Sequence, residues 1–125
     1  MIKGIGVDII EIDKIQRSIE QSGDAFLQKI FTPLEIAYCN AKHNRQQHFA
    51  ARFAAKEAVT KALSTGWTGE FSWKDIEVMN DSSGQPRITL HGKLKDTLAS
   101  CSVFVTISHS ESHVVAVVLV EESTL

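Results

Sequence analysis

Acidic and basic side chains lie within a helix-like segment that is otherwise apolar. Residues 50–63 are mostly alanine and larger apolar residues, yet they include Arg52, Lys56, Glu57 and Lys61. A helix that is apolar on nearly all sides is normally buried, so its charged groups need an ion partner, water or a ligand. Glu57 and Lys61 are four residues apart and share one face of the helix. They form either an ordinary surface ion pair or part of a site.

A second acidic residue is expected close to Glu57. Residues 2–10 are rich in β-branched side chains and predict a strand, in which Gly4, Gly6 and Asp8 face one side. Glycine inside a strand often marks close approach of another backbone, so we expect the alanine-rich helix to pack against this face and bring Glu57 towards Asp8. Adjacent carboxylates repel unless a cation lies between them, and Mg²⁺ with water and phosphate ligands suits such a pair. The alternative is that Asp8 is only a polar strand end or a helix N-cap.

Basic side chains in the same part of the sequence indicate an anionic ligand. They are Lys42, His43, Arg45, Arg52, Lys56 and Lys61. Arginine and lysine beside a magnesium site predict a polyphosphate, because both side chains bind phosphate well. A solvated run of charges is the alternative, above all for Lys42 and Arg45. His109 ends a predicted strand on its inward face, where a satisfied core histidine is a commoner outcome than a ligand contact.

The residue patterns along the chain predict an α+β fold. A mostly antiparallel sheet packs on a long buried helix, and short helices lie near the N-terminus. Thr32 suits an N-cap and Pro33 the first position of a helix. The last two strands are separated by three residues and predict a hairpin. The predicted elements are a strand at 2–10, helices at 11–21, 25–31, 32–43 and 46–64, strands at 73–79 and 86–90, a helix at 92–99, and strands at 102–109 and 113–121.

Composition excludes several classes of protein. The 125 residues are 43% hydrophobic with a formal net charge of −2, which predicts one domain over 1–125 and no nucleic-acid partner. No segment approaches the roughly 20 apolar residues of a membrane span. Asp8, Glu11 and Asp13 interrupt the first segment, so a signal peptide is not expected. Cys39 and Cys101 lack metal-type spacing and indicate neither a disulfide nor a zinc site. A cytoplasmic protein is the expectation.

Three motifs resemble those of the 4′-phosphopantetheinyl transferases, in the small single-module class of the holo-[acyl-carrier-protein] synthases. They are Gly-Ile-Gly-Val-Asp-Ile at 4–9, Arg-Phe-Ala-Ala-Lys-Glu-Ala with Lys-Ala-Leu over 52–63, and Thr-Ile-Ser-His-Ser at 106–110. The motifs follow the family's order and spacing, and the resemblance extends over essentially the whole chain. The first two together are specific, whereas the third alone is weak.

The resemblance implies a reaction and a set of site residues. Family members use Mg²⁺ to transfer the phosphopantetheine arm of coenzyme A to a serine of acyl carrier protein, in support of fatty acid biosynthesis, and they release adenosine 3′,5′-bisphosphate. The family is typically a homotrimer with active sites between subunits. The implied residues are Asp8 and Glu57 as Mg²⁺ ligands, Lys61 at the reacting phosphate, and Arg52, Lys61, Gly66, Pro86, His109 and Lys42 along the coenzyme A site, Lys42 near the 3′-phosphate.

The first helix departs from the family pattern. Members commonly carry an arginine-rich helix that docks the acidic carrier protein, but here Lys14 replaces an expected arginine and Arg17 is the only arginine. Nearby acidic residues dilute the patch further. We therefore expect carrier docking through Lys14 and Arg17 that is weaker, more salt-sensitive or suited to a particular partner.

Three questions stay open at the level of sequence. Glu57, Asp8 or a metal-bound water could accept the proton of the carrier serine. A phosphopantetheinyl transferase of broad specificity is an alternative, although that class is generally about twice as long. A non-catalytic trimeric module that binds nucleotide or coenzyme A is the other alternative, and it would not need Asp8 and Glu57 together.

Overall fold

The computed structural model describes residues 1–63 and 72–123, and it confirms the α+β fold. A short 3₁₀ turn at Trp73–Asp75 precedes the second strand. The elements, in chain order, are β1 (Ile2–Glu11), α1 (Ile12–Ile30), α2 (Pro33–Asn40), α3 (Arg45–Leu63), β2 (Ile76–Asn80), β3 (Pro86–Leu90), α4 (Gly92–Thr97), β4 (Cys101–His109) and β5 (His113–Glu122).

The strands form two antiparallel sheets. One has three strands in the order β1-β5-β4, and the other pairs β2 with β3. The predicted hairpin is confirmed, with Val105 opposite Val118 and His109 opposite Val114. Side chains alternate across the strands, so one face of the larger sheet enters the core. The residues of β5 on that face are fully buried: Val114, Ala116, Val118 and Val120.

Helix α3 packs directly on β1, as the glycines predict. A Cβ atom built on Gly4 would lie 2.0 Å from the carbonyl oxygen of Ala62, and one on Gly6 would lie 2.1 Å from that of Ala58. Both distances are far below van der Waals contact. Glycine is therefore required at these positions, because only a bare backbone allows the helix to come this near.

Helices α1 and α2 lie where the sequence predicts them, although their ends differ from the predicted ones. The break predicted at Ser22-Gly23 is present as a kink within α1, because Gly23 has non-helical backbone angles (φ 52°, ψ −130°) that separate two helical segments. Thr32 caps α2 with Pro33 in its first turn, and Glu35 completes a capping box. Helix α2 ends at Asn40, three residues before the predicted end.

Two boundaries in the second half differ from the predictions. The strand predicted at 73–79 starts only at Ile76, because Ser72 and Asp75 cap the 3₁₀ turn that comes first. Helix α4 ends at Thr97 rather than at residue 99. In the part of the chain that the structure describes, no helix has the length and apolar character to cross a membrane.

Candidate active site

Two carboxylates lie near each other where α3 packs on β1. Asp8 belongs to the inward face of β1, and Glu57 precedes Ala58, whose carbonyl touches Gly6. Burial raises the pKa of Glu57, and the negative charge of Asp8 raises it further, while Lys61 and Lys14 oppose the shift. The acid pair expected from the sequence is therefore brought together by the fold.

Lys61 joins the helix to the strand. Its Nζ donates to Oδ1 of Asp8 over 3.0 Å, with half of the lysine side chain exposed and most of the aspartate side chain buried. The lysine expected at the reacting phosphate therefore lies beside the acid pair with its side chain open to solvent. A phosphate that approached Asp8 and Glu57 would meet this ammonium group.

The donor set fits a hard cation that keeps most of its water. Within residues 1–63 and 72–123, no group of three or more His, Cys, Asp or Glu side chains is arranged to hold a metal ion. Mg²⁺ is commonly bound by one or two carboxylates together with waters and substrate phosphates, so two acids suffice. Burial and then the charge of Asp8 raise the pKa of Glu57, so a cation between the two acids would favour their ionised forms. The residues present therefore fit Mg²⁺, which itself stays a prediction.

Arg52 lies in a cationic cluster near the beginning of α3. It is buried, and its guanidinium carbon stands 4.2 Å from the ring centre of Tyr38, with Lys42 Nζ 4.8 Å from the same ring centre. His48 packs its ring edge-on against Tyr38. His109 is exposed at the end of β4, so the interpretation of His109 as a core histidine is wrong.

The remaining predicted residues lie in several places. Pro86 lines a cleft of about 370 Å³ between β3 and β4, together with Arg87 and Val103. Lys14 and Arg17 are exposed on α1, and the charge of Lys14 acts on Glu57, so the predicted carrier-docking helix borders the acid pair. Gly66 lies outside the described residues.

The prediction that Lys56 belongs to the phosphate-binding group is wrong. It is fully buried, and its ammonium group donates to Oε1 of Glu35 (2.7 Å), to the carbonyl of Ile30 (2.9 Å) and to that of Trp73 (3.1 Å). Burial lowers the pKa of Lys56, and Glu35 opposes the shift through its charge and hydrogen bond. With three donors and three acceptors, this ammonium group is already satisfied and holds the core together instead of binding phosphate.

The partners of Lys56 were not predicted from the sequence. Glu35 also accepts from the backbone nitrogens of Thr32 and Val78, and the hydroxyl of Thr32 donates to Glu77. His91 contacts the other oxygen of Glu77 from the surface. The Thr-x-x-Glu spacing at 32–35 was a visible signal for a capping box, but nothing local indicates that the same carboxylate neutralises a buried lysine.

Comparison with known proteins gives one consistent result. The sequence profile of the 4′-phosphopantetheinyl transferase superfamily matches residues 4–118. The chain is 44% identical to the holo-[acyl-carrier-protein] synthase of Koribacter versatilis over 98% of this chain and 100% of the relative. It is 47% identical to that of a Chlamydia trachomatis strain, over 94% of this chain and 98% of the relative.

Solved structures agree with the sequence matches. The holo-[acyl-carrier-protein] synthase of Neisseria meningitidis is similar with a TM-score of 0.87 and 34% identity, over 98% of this chain and 100% of that one. The Helicobacter pylori enzyme, solved in complex with coenzyme A, is similar with a TM-score of 0.82 and 34% identity, over 94% and 99% of the two chains.

Proposed function

Because the chain belongs to the 4′-phosphopantetheinyl transferase superfamily and is a phosphopantetheinyl transferase, we propose that it converts apo-acyl carrier protein to the holo form. The 4′-phosphopantetheine arm of coenzyme A is transferred to a carrier serine, and adenosine 3′,5′-bisphosphate is released. Its similar relatives are holo-[acyl-carrier-protein] synthases, and one of them was solved with coenzyme A. The observation that carries the proposal is that Lys61 donates to Asp8 and that both of their charges act on Glu57.

Each of these three side chains has a task in the transfer. Asp8 and Glu57 hold Mg²⁺, which when bound offsets negative charge on the diphosphate of coenzyme A. Lys61 stabilises the phosphoryl group as the serine oxygen forms its bond to phosphorus and the bond to the bisphosphate breaks. The serine proton must leave in the same step. A carboxylate oxygen of Asp8 or Glu57 that does not hold the cation, or a neighbouring water, accepts this proton.

Coenzyme A is held by the residues that the family resemblance implies. They are Arg52, Lys61, Gly66, Pro86, His109 and Lys42. The cationic cluster around Tyr38 supports an anionic part of the ligand there, because guanidinium and ammonium groups both bind phosphate. The cleft beside Pro86 supports a second, less polar contact.

The carrier protein docks on α1. Lys14 and Arg17 are exposed, and Lys14 is near enough to Glu57 to influence its pKa, so a carrier bound at this helix has its serine close to the acid pair. An acidic partner surface suits two cations, although the acidic neighbours on α1 make the attraction sensitive to salt. The carrier belongs to fatty acid biosynthesis in the cytoplasm.

The assembly is a homotrimer built from a single transferase domain over residues 1–125. The outer face of the larger sheet supports self-association, since Ile5, Val7 and Ile9 of β1 and Phe104 of β4 are exposed between about half and two thirds of their surface. An apolar patch of this kind on an antiparallel sheet is typical of a protein interface.

The test is direct transfer. Protein, apo-acyl carrier protein, coenzyme A and Mg²⁺ are mixed, and the carrier mass is followed by mass spectrometry. We expect addition of one phosphopantetheine, loss of the reaction with EDTA, and loss with Asp8→Asn. Binding of coenzyme A without any mass shift on several carriers would identify a non-catalytic binding module instead. Transfer that is unaffected by EDTA and by Asp8→Asn would remove the two acids from the mechanism.

A further inference from the structure

Two cationic groups and a histidine lie around Tyr38 of α2, beside the first half of α3. Arg52 and Lys42 lie over the tyrosine ring, and the ring of His48 stands edge-on to it with the ring centres 5.8 Å apart. The charge of His109 reaches His48 from β4. The sequence reading assigned no role to His48.

The positive charge of this cluster is not balanced by acidic side chains. In the described part of the chain, no ion pair joins a carboxylate to Lys42, His48, Arg52 or His109. The two terminal nitrogens of Arg52 donate to neutral oxygens, the carbonyl of His48 and the side chain of Asn80. Its buried Nε has no partner among the described residues. Groups of one sign that converge without counter-charge favour an anionic ligand.

His48 is a titratable member of the cluster, and its protonation responds to such a ligand. Burial lowers the pKa of His48, and the charges of Arg52, Lys42 and His109 lower it further, in that order. The imidazole is therefore largely neutral at pH 7 in the free protein. A bound dianion reverses this balance because it favours the protonated ring. The cluster thus gains a further positive charge when the anion arrives.

We propose that His48 contacts a phosphate group of coenzyme A and takes up a proton as the co-substrate binds. The inference rests on the proposed function and deepens it, since it makes affinity for the co-substrate depend on pH through one named side chain. A linked proton changes affinity by up to about tenfold per pH unit between the free and bound pKa values. Coenzyme A should accordingly bind more weakly at pH 8 than at pH 6.5.

Calorimetry on the intact protein without carrier tests this binding step. Titrations with coenzyme A at pH 6.5 and pH 8.0, each in two buffers of different ionisation enthalpy, give affinity and proton uptake together. We expect wild-type affinity to fall at least about threefold between the two pH values, and the proton uptake seen with wild type to be lost in His48→Gln. His48→Arg, permanently charged, should bind tightly at both pH values. The matched control is His91→Gln, a histidine that pairs with Glu77 on the smaller sheet.

The outcomes separate this inference from the proposed function. Equal pH slopes and equal proton uptake in wild type and His48→Gln overturn the role of His48 while transfer to the carrier still stands. Failure of wild type to bind coenzyme A at either pH overturns both. Parallel titrations with dephospho-coenzyme A identify the phosphate involved. If wild type and His48→Gln still differ in their binding of dephospho-coenzyme A, His48 contacts the diphosphate. If the difference disappears, His48 contacts the 3′-phosphate, which this compound lacks.

Discussion

At the scale of single residues, Glu57 has a charge that its surroundings disfavour. Burial and the charge of Asp8 raise its pKa, so the folded protein binds this proton more tightly than the unfolded chain does. Such a group makes the fold less stable as pH rises from the unfolded pKa through the folded one. At neutral pH this loss of folding stability is complete, because Glu57 is ionised in both the folded and the unfolded chain. The role proposed for Glu57 and the stability of the fold therefore oppose each other at this position.

Replacing the acid should stabilise the metal-free protein. We expect Glu57→Gln to raise the free energy of unfolding at pH 7.5 in EDTA by up to about 1 kcal/mol, the usual range for partly exposed charges. The gain should shrink at acidic pH, where wild-type Glu57 is protonated. Added Mg²⁺ should raise the melting temperature of wild type more than that of the variant. Thermal unfolding measures each effect, and Glu111→Gln on an exposed turn is the control. A variant less stable than wild type in EDTA would contradict the repulsion.

Individual residues also show what the sequence could and could not reveal. The proximity of Asp8 and Glu57 was predictable, because two glycines on the same strand face indicated where the helix packs. The burial of Lys56 was not, because its partner Glu35 is 21 residues away and the two are joined only by the tertiary fold. A lysine inside an alanine-rich helix is compatible with either a ligand or a buried acid.

At the scale of elements, the contact between α3 and β1 holds the site together. We expect Gly6→Ala to destabilise the protein by at least about 3 kcal/mol, because the new methyl group would overlap the backbone of Ala58 and Ala62. Chemical denaturation measures the loss. Lys3→Ala, an exposed position on the same strand, should cost less than about 1 kcal/mol. A Gly6→Ala protein of near-wild-type stability would show that helix and strand are less closely packed than described.

The buried pair of Lys56 and Glu35 ties α3 to the beginning of α2. We expect Lys56→Met to cost about 3–5 kcal/mol, because it leaves a carboxylate buried without its cation. The double variant Lys56→Met, Glu35→Leu should lose less than the sum of the single changes. Equilibrium unfolding in urea measures all three proteins, with Lys3→Met at an exposed pair as the control. Strict additivity would mean that the two charges do not stabilise each other.

Most elements were predictable from local signals, and the exceptions have physical causes. The Thr32 capping box and Pro33 mark the beginning of α2 in the sequence itself. The 3₁₀ turn before β2 was missed because Trp73 to Met79 alternates like a strand, while capping by Ser72 and Asp75 makes the first residues turn instead. Alternation of apolar and polar residues indicates a strand but does not show at which residue the strand begins.

At the scale of the whole molecule, one face of the larger sheet remains uncovered in the single chain. Ile5 and Phe104 lie at either side of Leu119, and Val7 lies beside Val117, so apolar side chains form rows across three strands. We expect Val7→Lys to convert a trimer to monomers and to reduce transfer activity, because a charge would be buried at the interface. Light scattering coupled to size-exclusion chromatography measures the mass.

A matched variant distinguishes this face from ordinary exposed apolar residues. Leu34 on α2 is 60% exposed and lies apart from the sheet, so Leu34→Lys should leave the mass unchanged. If wild type itself runs as a monomer at micromolar concentration, or if both variants remain trimeric, the sheet face does not mediate assembly.

The backbone contact between Gly6 and Ala58 also limits how the proposed Mg²⁺ site could adjust to other cations. Mg²⁺ prefers ligand distances of about 2.0–2.1 Å and Ca²⁺ about 2.3–2.6 Å. Since main-chain atoms already touch, the strand and helix that carry the acids cannot shift closer together to suit a smaller ion. Any adjustment to ionic radius must come from side-chain torsions, and Glu57, the longer of the two, has to supply most of it. Discrimination among divalent ions should accordingly change with the length of that side chain far more than with repacking of the distant core.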